Sequence, residues 1–138
     1  MSTAITLDSG IKRFKFTDED GDVFASFRLN PAAPSLTKRA EEVAAYLEEM
    51  AERELDLSSA AEFASFNDKL EEKMCYLLGY DAHDELFGVV EAATILPDGN
   101  LFAMAVLDII AEAIQPELEK RAEKVHSEIE KYAAKYSE

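Results

Sequence analysis

Residues Leu101 to Ile114, reading LFAMAVLDIIAEAI, carry only two polar side chains, Asp108 and Glu112. Four residues apart, those two fall on one narrow stripe of a helix, so nearly the whole remaining circumference is apolar. Such a helix is stable in water only when neighbours cover most of it. The segment therefore predicts the central helix of a small domain, and the rest of the chain has to supply its walls.

The N-terminal part supplies a sheet. Residues 11–17 alternate with Phe14 and Phe16 on one side, and 22–29 alternate with Val23, Ala25, Phe27 and Leu29. Between them lies Asp18-Glu19-Asp20-Gly21, a turn composition, so the pair predicts an antiparallel β-hairpin. Ile5 and Leu7 alternate as well and predict a third strand across Gly10. In this phase Phe24 falls on the polar-facing side. An exposed strand edge offers a place for another chain to pair, which charged edges oppose.

Asn30-Pro31-Ala32-Ala33-Pro34 ends the sheet, and helical spacing follows. Leu36, Ala40, Val43, Leu47 and Met50 form one face. A second helix starts at the capping box Ser59-x-x-Glu62, has Phe63, Phe66, Leu70, Met74 and Leu77 on its apolar face, and stops at Gly79. Asp81 opens a short helix ending at Leu86-Phe87-Gly88. A connection over 89–100, turning at Pro97-Asp98-Gly99-Asn100, leads into the central helix. Gln115-Pro116 predicts a break or kink, with Pro116 in the first turn of a last helix. The whole reads as one α+β domain over 1–138: a hairpin or three-stranded sheet within 1–30 and a bundle of about five helices within 35–137.

Charge narrows the partners. Fourteen Lys and Arg against 29 Asp and Glu give −15 at neutral pH. A chain so acidic repels polyphosphate and anionic lipid, which argues against nucleic acid and against the membrane surface. Residues 1–30 account for only −1 and the remainder for −14, with no Lys or Arg between Lys73 and Lys120. That acidity reads as a solvated face, or alternatively as a surface for a basic segment. No stretch approaches the ~20 apolar residues of a membrane span, and MSTAITLDSG has neither the basic start nor the apolar run of a secretory signal. A single cysteine, Cys75, excludes an intrachain disulfide and fits a cytoplasmic protein.

No catalytic constellation stands up, and neither a metal nor a cofactor is expected. Aligning Gly21 with the glycine of a calcium loop puts Phe16 and Phe27 where ligands belong, so Asp18 to Asp22 is read as a turn. Glu123-x-x-His126 is half of a di-iron carboxylate pattern, but His83 has Tyr80 three residues before it, and the second half is missing. Cys75, in Met74-Cys75-Tyr76-Leu77-Leu78, reads as a small apolar residue. Hydrolase elbows, phosphate-binding loops and dinucleotide fingerprints are absent from the sequence.

The last helix is the second informative stretch. Leu118, Ala122, Val125, Ile129, Tyr132 and Tyr136 are spaced 4, 3, 4, 3 and 4, an a/d seam with charge elsewhere. The expectation is a helix lying on its own domain, and the alternative is a seam that docks on a partner helix. As candidate partner-binding residues the sequence offers Phe24, Val125, Ile129, Tyr132 and Tyr136.

The order of these parts carries a resemblance: a Phe-rich hairpin ending in Asn30-Pro31, two long helices, Leu86-Phe87-Gly88, a connection of about ten residues, the apolar helix 101–114, and a terminal Lys131-Tyr132-Ala133-Ala134-Lys135-Tyr136. It resembles a family of small tail-region proteins, similar to tail assembly chaperones, from phages and prophages of Gram-positive bacteria. The resemblance implies a non-enzymatic role in the host cytoplasm. There the protein would keep the phage tape-measure protein soluble until tail-tube subunits polymerise around it, with the tail-tube subunit as a further partner and self-association as an option. A structural tail or head–tail connector component, and an unrelated acidic binding module, are the alternatives.

Overall fold

A computed structural model describes residues 2–53 and 55–136. Strands β1 (Lys12–Thr17) and β2 (Val23–Leu29) precede helices α1 (Pro34–Glu52), α2 (Ala60–Leu78), α3 (His83–Phe87) and α4 (Phe102–Tyr136). The α+β class is as expected. The hairpin is antiparallel, pairing Phe14 with Phe27 and Phe16 with Ala25. Its turn is closed by Asp18, whose Oδ1 accepts the backbone N–H groups of Asp20 and Asp22 at 2.9 and 3.0 Å. Gly21 takes φ of +83°, which few other residues adopt.

Three expectations fail, each for a local reason. Residues 2–11 form no strand, and Ile5 and Leu7 are exposed. Their backbone is turned instead by Asp8 Oδ1, which accepts from Gly10 N–H, and by Ser9 Oγ, which accepts from Ile11 N–H. Local side-chain acceptors of this kind compete with a sheet ladder. The second failure is the phase of β2. Thr17 pairs with Val23 while Phe16 pairs with Ala25, so Phe24 is the extra residue of a bulge. The bulge swings Phe24 towards the inner face and leaves Val23 exposed.

The third failure concerns Pro116. The described helices number four, because α4 runs unbroken through Pro116 to Tyr136. Proline removes one hydrogen bond, to the carbonyl of Glu112, four residues earlier. Both residues are exposed, so the lost bond lies on the open side of the helix, where the carbonyl is accessible to solvent and the helix continues.

The core takes residues from β2 and from all four helices. Phe102, at the start of α4, is its aromatic centre, meeting Phe16, Phe24 and Phe87 at centroid distances of 5.4, 5.9 and 6.0 Å. Phe102, Ala103, Val106, Ile110 and Ile114 are buried, while Asp108 and Glu112 face water. The central helix is not fully enclosed, however. Met104 and Leu107 are half-buried and Ala111 is exposed, along an open apolar groove shared with Ala40, Val43 and Leu47 of α1.

The helix ends follow sequence rules. Ser59 Oγ accepts from Glu62 N–H at 3.4 Å, and Gly79 closes α2 with φ of +81°. Arg39 Nε reaches across from α1 to the Leu77 carbonyl, satisfying an acceptor that the end of α2 leaves open. The connection before α4 caps that helix, since Phe102 N–H donates to Thr94 O and Ala103 N–H to Ala92 O, both at 2.9 Å.

Candidate interaction surface

Beyond Ile114 the side chains of α4 leave the core. Leu118 is 41% exposed, Val125 53%, Ile129 62%, Tyr132 54% and Tyr136 74%. Every described residue after Arg121 is exposed, so the last helix does not lie on its own domain. The alternative expectation, a seam left open to a partner, describes the geometry. Leu118, Ala122, Val125 and Ile129 line one open depression along this half of the helix. Tyr132 and Tyr136 stack one turn apart, with centroids 6.4 Å apart and ring planes within 9°.

Arg121 marks the exit from the body. Its Nη1 donates to Thr37 Oγ1 at 3.4 Å, near the start of α1, while its Nη2 is buried without a hydrogen-bond partner. Residues further back in α4 share the groove with residues further on in α1, so the two helices run in opposite directions. Past Arg121, α1 has no more chain to offer, which is why the seam stays bare.

The predicted contact residues divide. Val125, Ile129, Tyr132 and Tyr136 lie together on the free seam. Phe24 does not join them. It is half-buried, tilted against Phe16 at 6.1 Å and Phe102 at 5.9 Å, and belongs to the core through the bulge described above.

Two polar clusters lie elsewhere. In the first, Asn67 and Glu71 of α2 are buried and hold the connection to α4. Asn67 Oδ1 accepts Ala93 N–H at 2.8 Å, and Glu71 Oε2 accepts Ala92 N–H at 3.1 Å. The other carboxylate oxygen of Glu71 lies 2.9 Å from His83 Nε2, and His83 Nδ1 lies 3.2 Å from Asp84. Hydrogen bonds to Asp84 first, then to Glu71, push the His83 pKa above its ordinary 6.5. The sequence signal for this clip was two polar residues, four apart, between the apolar positions Phe63, Phe66, Leu70 and Met74.

The second cluster closes an edge of the sheet. Arg28 N–H donates to Tyr80 Oη at 2.9 Å, with the Arg28 guanidinium 3.8 Å above the ring centroid. Tyr80 and Ser26 in turn donate to Glu85, at 3.0 and 2.8 Å. The outer edge of β2 is thereby occupied, and β1 presents Lys12, Arg13 and Lys15.

The remaining chemistry-bearing residues sit in ordinary surroundings. Burial, more than any neighbouring charge, pushes the Cys75 thiol up, away from nucleophilic behaviour. His126 pairs with Glu130 on the helix surface at 3.0 Å. The Asp18, Asp20 and Asp22 carboxylates gather within 4.8 Å, with Asp18 Oδ1 already accepting two backbone N–H groups of the turn. No family model, curated protein or solved structure matches the chain. Among the described residues no helix is long and apolar enough to cross a membrane. The largest unexplained feature is the bare seam.

Proposed function

We propose that this protein is a binding factor, similar to a phage tail assembly chaperone, that holds an apolar helical client on the free half of α4. The observation that carries the reading is the run of Val125, Ile129, Tyr132 and Tyr136, all more than half exposed on the part of α4 beyond Arg121. An amphipathic seam of this kind binds by burying alternate turns against another helix. The long helical tape-measure protein offers such helices, and the resemblance of the chain to tail-region proteins favours it as client. The mode of action is contact rather than catalysis, needs no cofactor, and belongs in the cytoplasm of the bacterial host. The acidic body aids by keeping a loaded complex soluble.

Co-expression with the tape-measure protein of the same genome tests this. The soluble fraction of that protein should rise and the two should co-purify, and replacing Val125, Ile129 and Tyr132 with Ser should abolish both effects. A tape-measure protein that precipitates regardless sinks the reading. Finding this chain as a stoichiometric part of purified tails moves it to the structural component alternative.

A further inference from the structure

The groove between α1 and α4 is a second uncovered apolar feature, set in the body rather than on the free half of α4. Val43, Leu77 and Ile110 are buried along its floor, and about 320 Å³ stays open above them. Interiors packed to ordinary density leave no such space between finished neighbours. The lips are low, because Ala44 of α1 and Ala111 of α4 are both exposed alanines. Two antiparallel helices with an apolar cleft between them form the seat that a third helix takes in a bundle.

Just outside the lips the side chains are acidic. At 100° per residue, Glu48 and Glu41 stand about 40° and 60° beyond Ala44, on the side turned away from buried Val43. Asp108 stands about 60° beyond Ala111, on the side turned away from buried Ile110. Such positions flank a helix seated over the two alanines, as e and g flank an a/d seam. Because α1 and α4 run in opposite directions, with Thr37 beside Arg121, Glu48 and Asp108 fall opposite one another across the groove. Nearby acids of α1 are occupied, since Glu42 meets Tyr76 and Glu49 meets Arg53. Among the described residues no base or donor meets Glu41, Glu48 or Asp108. From Phe102 to Glu119, α4 has no Lys or Arg, and the other lip residues Thr37, Ala51, Met104 and Gln115 are uncharged.

An apolar cleft between facing carboxylates complements a helix whose apolar stripe has Lys or Arg on both sides. A guest with acidic flanks would set like charge against like. The free half of α4 from a second copy fits poorly, since Glu119 and Glu128 flank its seam alongside Arg121 and Lys135.

We infer that the α1–α4 groove binds a basic amphipathic helix of a partner protein. Its apolar residues at i, i+4 and i+7 sit over Leu77 and Ile110, and its bases meet Glu41, Glu48 and Asp108. The site is separate from the free seam and does not rest on the client reading.

The probe is a labelled helical peptide of about 18 residues, five turns, with Leu along one stripe and Lys on both flanks. A twin peptide carries Glu in place of every Lys. In anisotropy titrations against the full chain, the Lys peptide should bind and the Glu peptide should not. Ala111→Arg, which fills the groove and repels the guest, should weaken binding at least about tenfold with an unchanged circular dichroism spectrum. Glu48→Lys with Asp108→Lys should weaken it by a factor on the order of ten and admit the Glu peptide. Glu123→Lys with Glu130→Lys makes the same change in net charge on the free half of α4. That pair, and Ile129→Asp, should leave the affinity within about twofold.

Equal binding of the two peptides overturns the inference. So does an equal loss from the two charge reversals, which would reduce the effect to net charge. A mass that rises with concentration in sedimentation, and that Ala111→Arg holds at one chain, would give the groove to a second copy and overturn it as well. Peptide binding without capture of the tape-measure protein upholds the groove and removes the client reading alone. Capture without peptide binding removes the groove alone.

Discussion

The two halves of α4 are built from the same repeating apolar positions and meet opposite fates. Ile110 is 2% exposed and Ile129 is 62% exposed, although each sits on the apolar stripe of one continuous helix. The difference lies in what the rest of the chain can lay against them. Residues 102–114 meet β2, α2 and α3, while α1 ends its overlap at Thr37 beside Arg121. Periodicity thus states that a face will be covered and leaves open which chain covers it.

Matched truncations break or confirm that contrast. Ile110→Ala should cost about 2–5 kcal/mol in urea unfolding, because it opens a cavity in the core. A loss below about 1 kcal/mol would show that the first half is not core. Next in size is the clip that seats α4: Glu71→Ala strands the buried Ala92 N–H and should cost about 2–3 kcal/mol. Glu71→Gln, which keeps an acceptor oxygen, should cost visibly less, and equal losses would argue against the hydrogen bond as the cause.

Pro116→Ala restores a backbone donor at the junction of the halves. Amide exchange over residues 117–131 should slow by about tenfold or more, with global stability changed far less. Equal gains in both measures would mean that the halves unfold as one unit. Ile129→Ala, assayed at a concentration where the chain is single, should stay within about 0.5 kcal/mol of the parent, as exposed positions do.

The smallest effect is electrostatic. The pKa of His83 is raised in the folded state, so its pairing with Asp84 and Glu71 stabilises the fold fully below 6.5 and is lost as pH rises through the folded value. Thermal melts taken upward from pH 6.5 should show a loss in the parent that His83→Gln lacks. Parallel curves for the two proteins would remove His83 from the clip.

Much of this was legible from residues alone, and the exceptions share a cause. The hairpin, the Ser59 cap, the Gly79 stop and the apolar faces of α1 and α2 follow from local rules that sequence spacing expresses directly. The bulge at Phe24 is not local: it depends on how Phe16 and Thr17 register against β2 and on the space beside Phe102. Glu112 was readable on the polar stripe, but continuity through Pro116 also depends on the body leaving that side of the helix open, as the exposure of both residues shows. The Asn67 and Glu71 clip was visible as polar residues among apolar ones, but its targets, Ala92 and Ala93, lie more than twenty residues away. Of the contact residues, the four on α4 were readable as a seam, and their bareness was not.

The anchoring of α4 also makes it a lever. Residues 122–136 extend roughly 22 Å from the body at 1.5 Å per residue. Arg121 against Thr37 is the fulcrum, and the inner arm is Phe102 to Ile114, wedged among β2, α2 and α3. A pull across the tip at Tyr136 therefore reaches the core as torque, first felt where the Thr94 and Ala92 carbonyls grip the start of the helix. Load and release of whatever binds the tip would be registered mechanically at the clip around Glu71, at the opposite end of the rod.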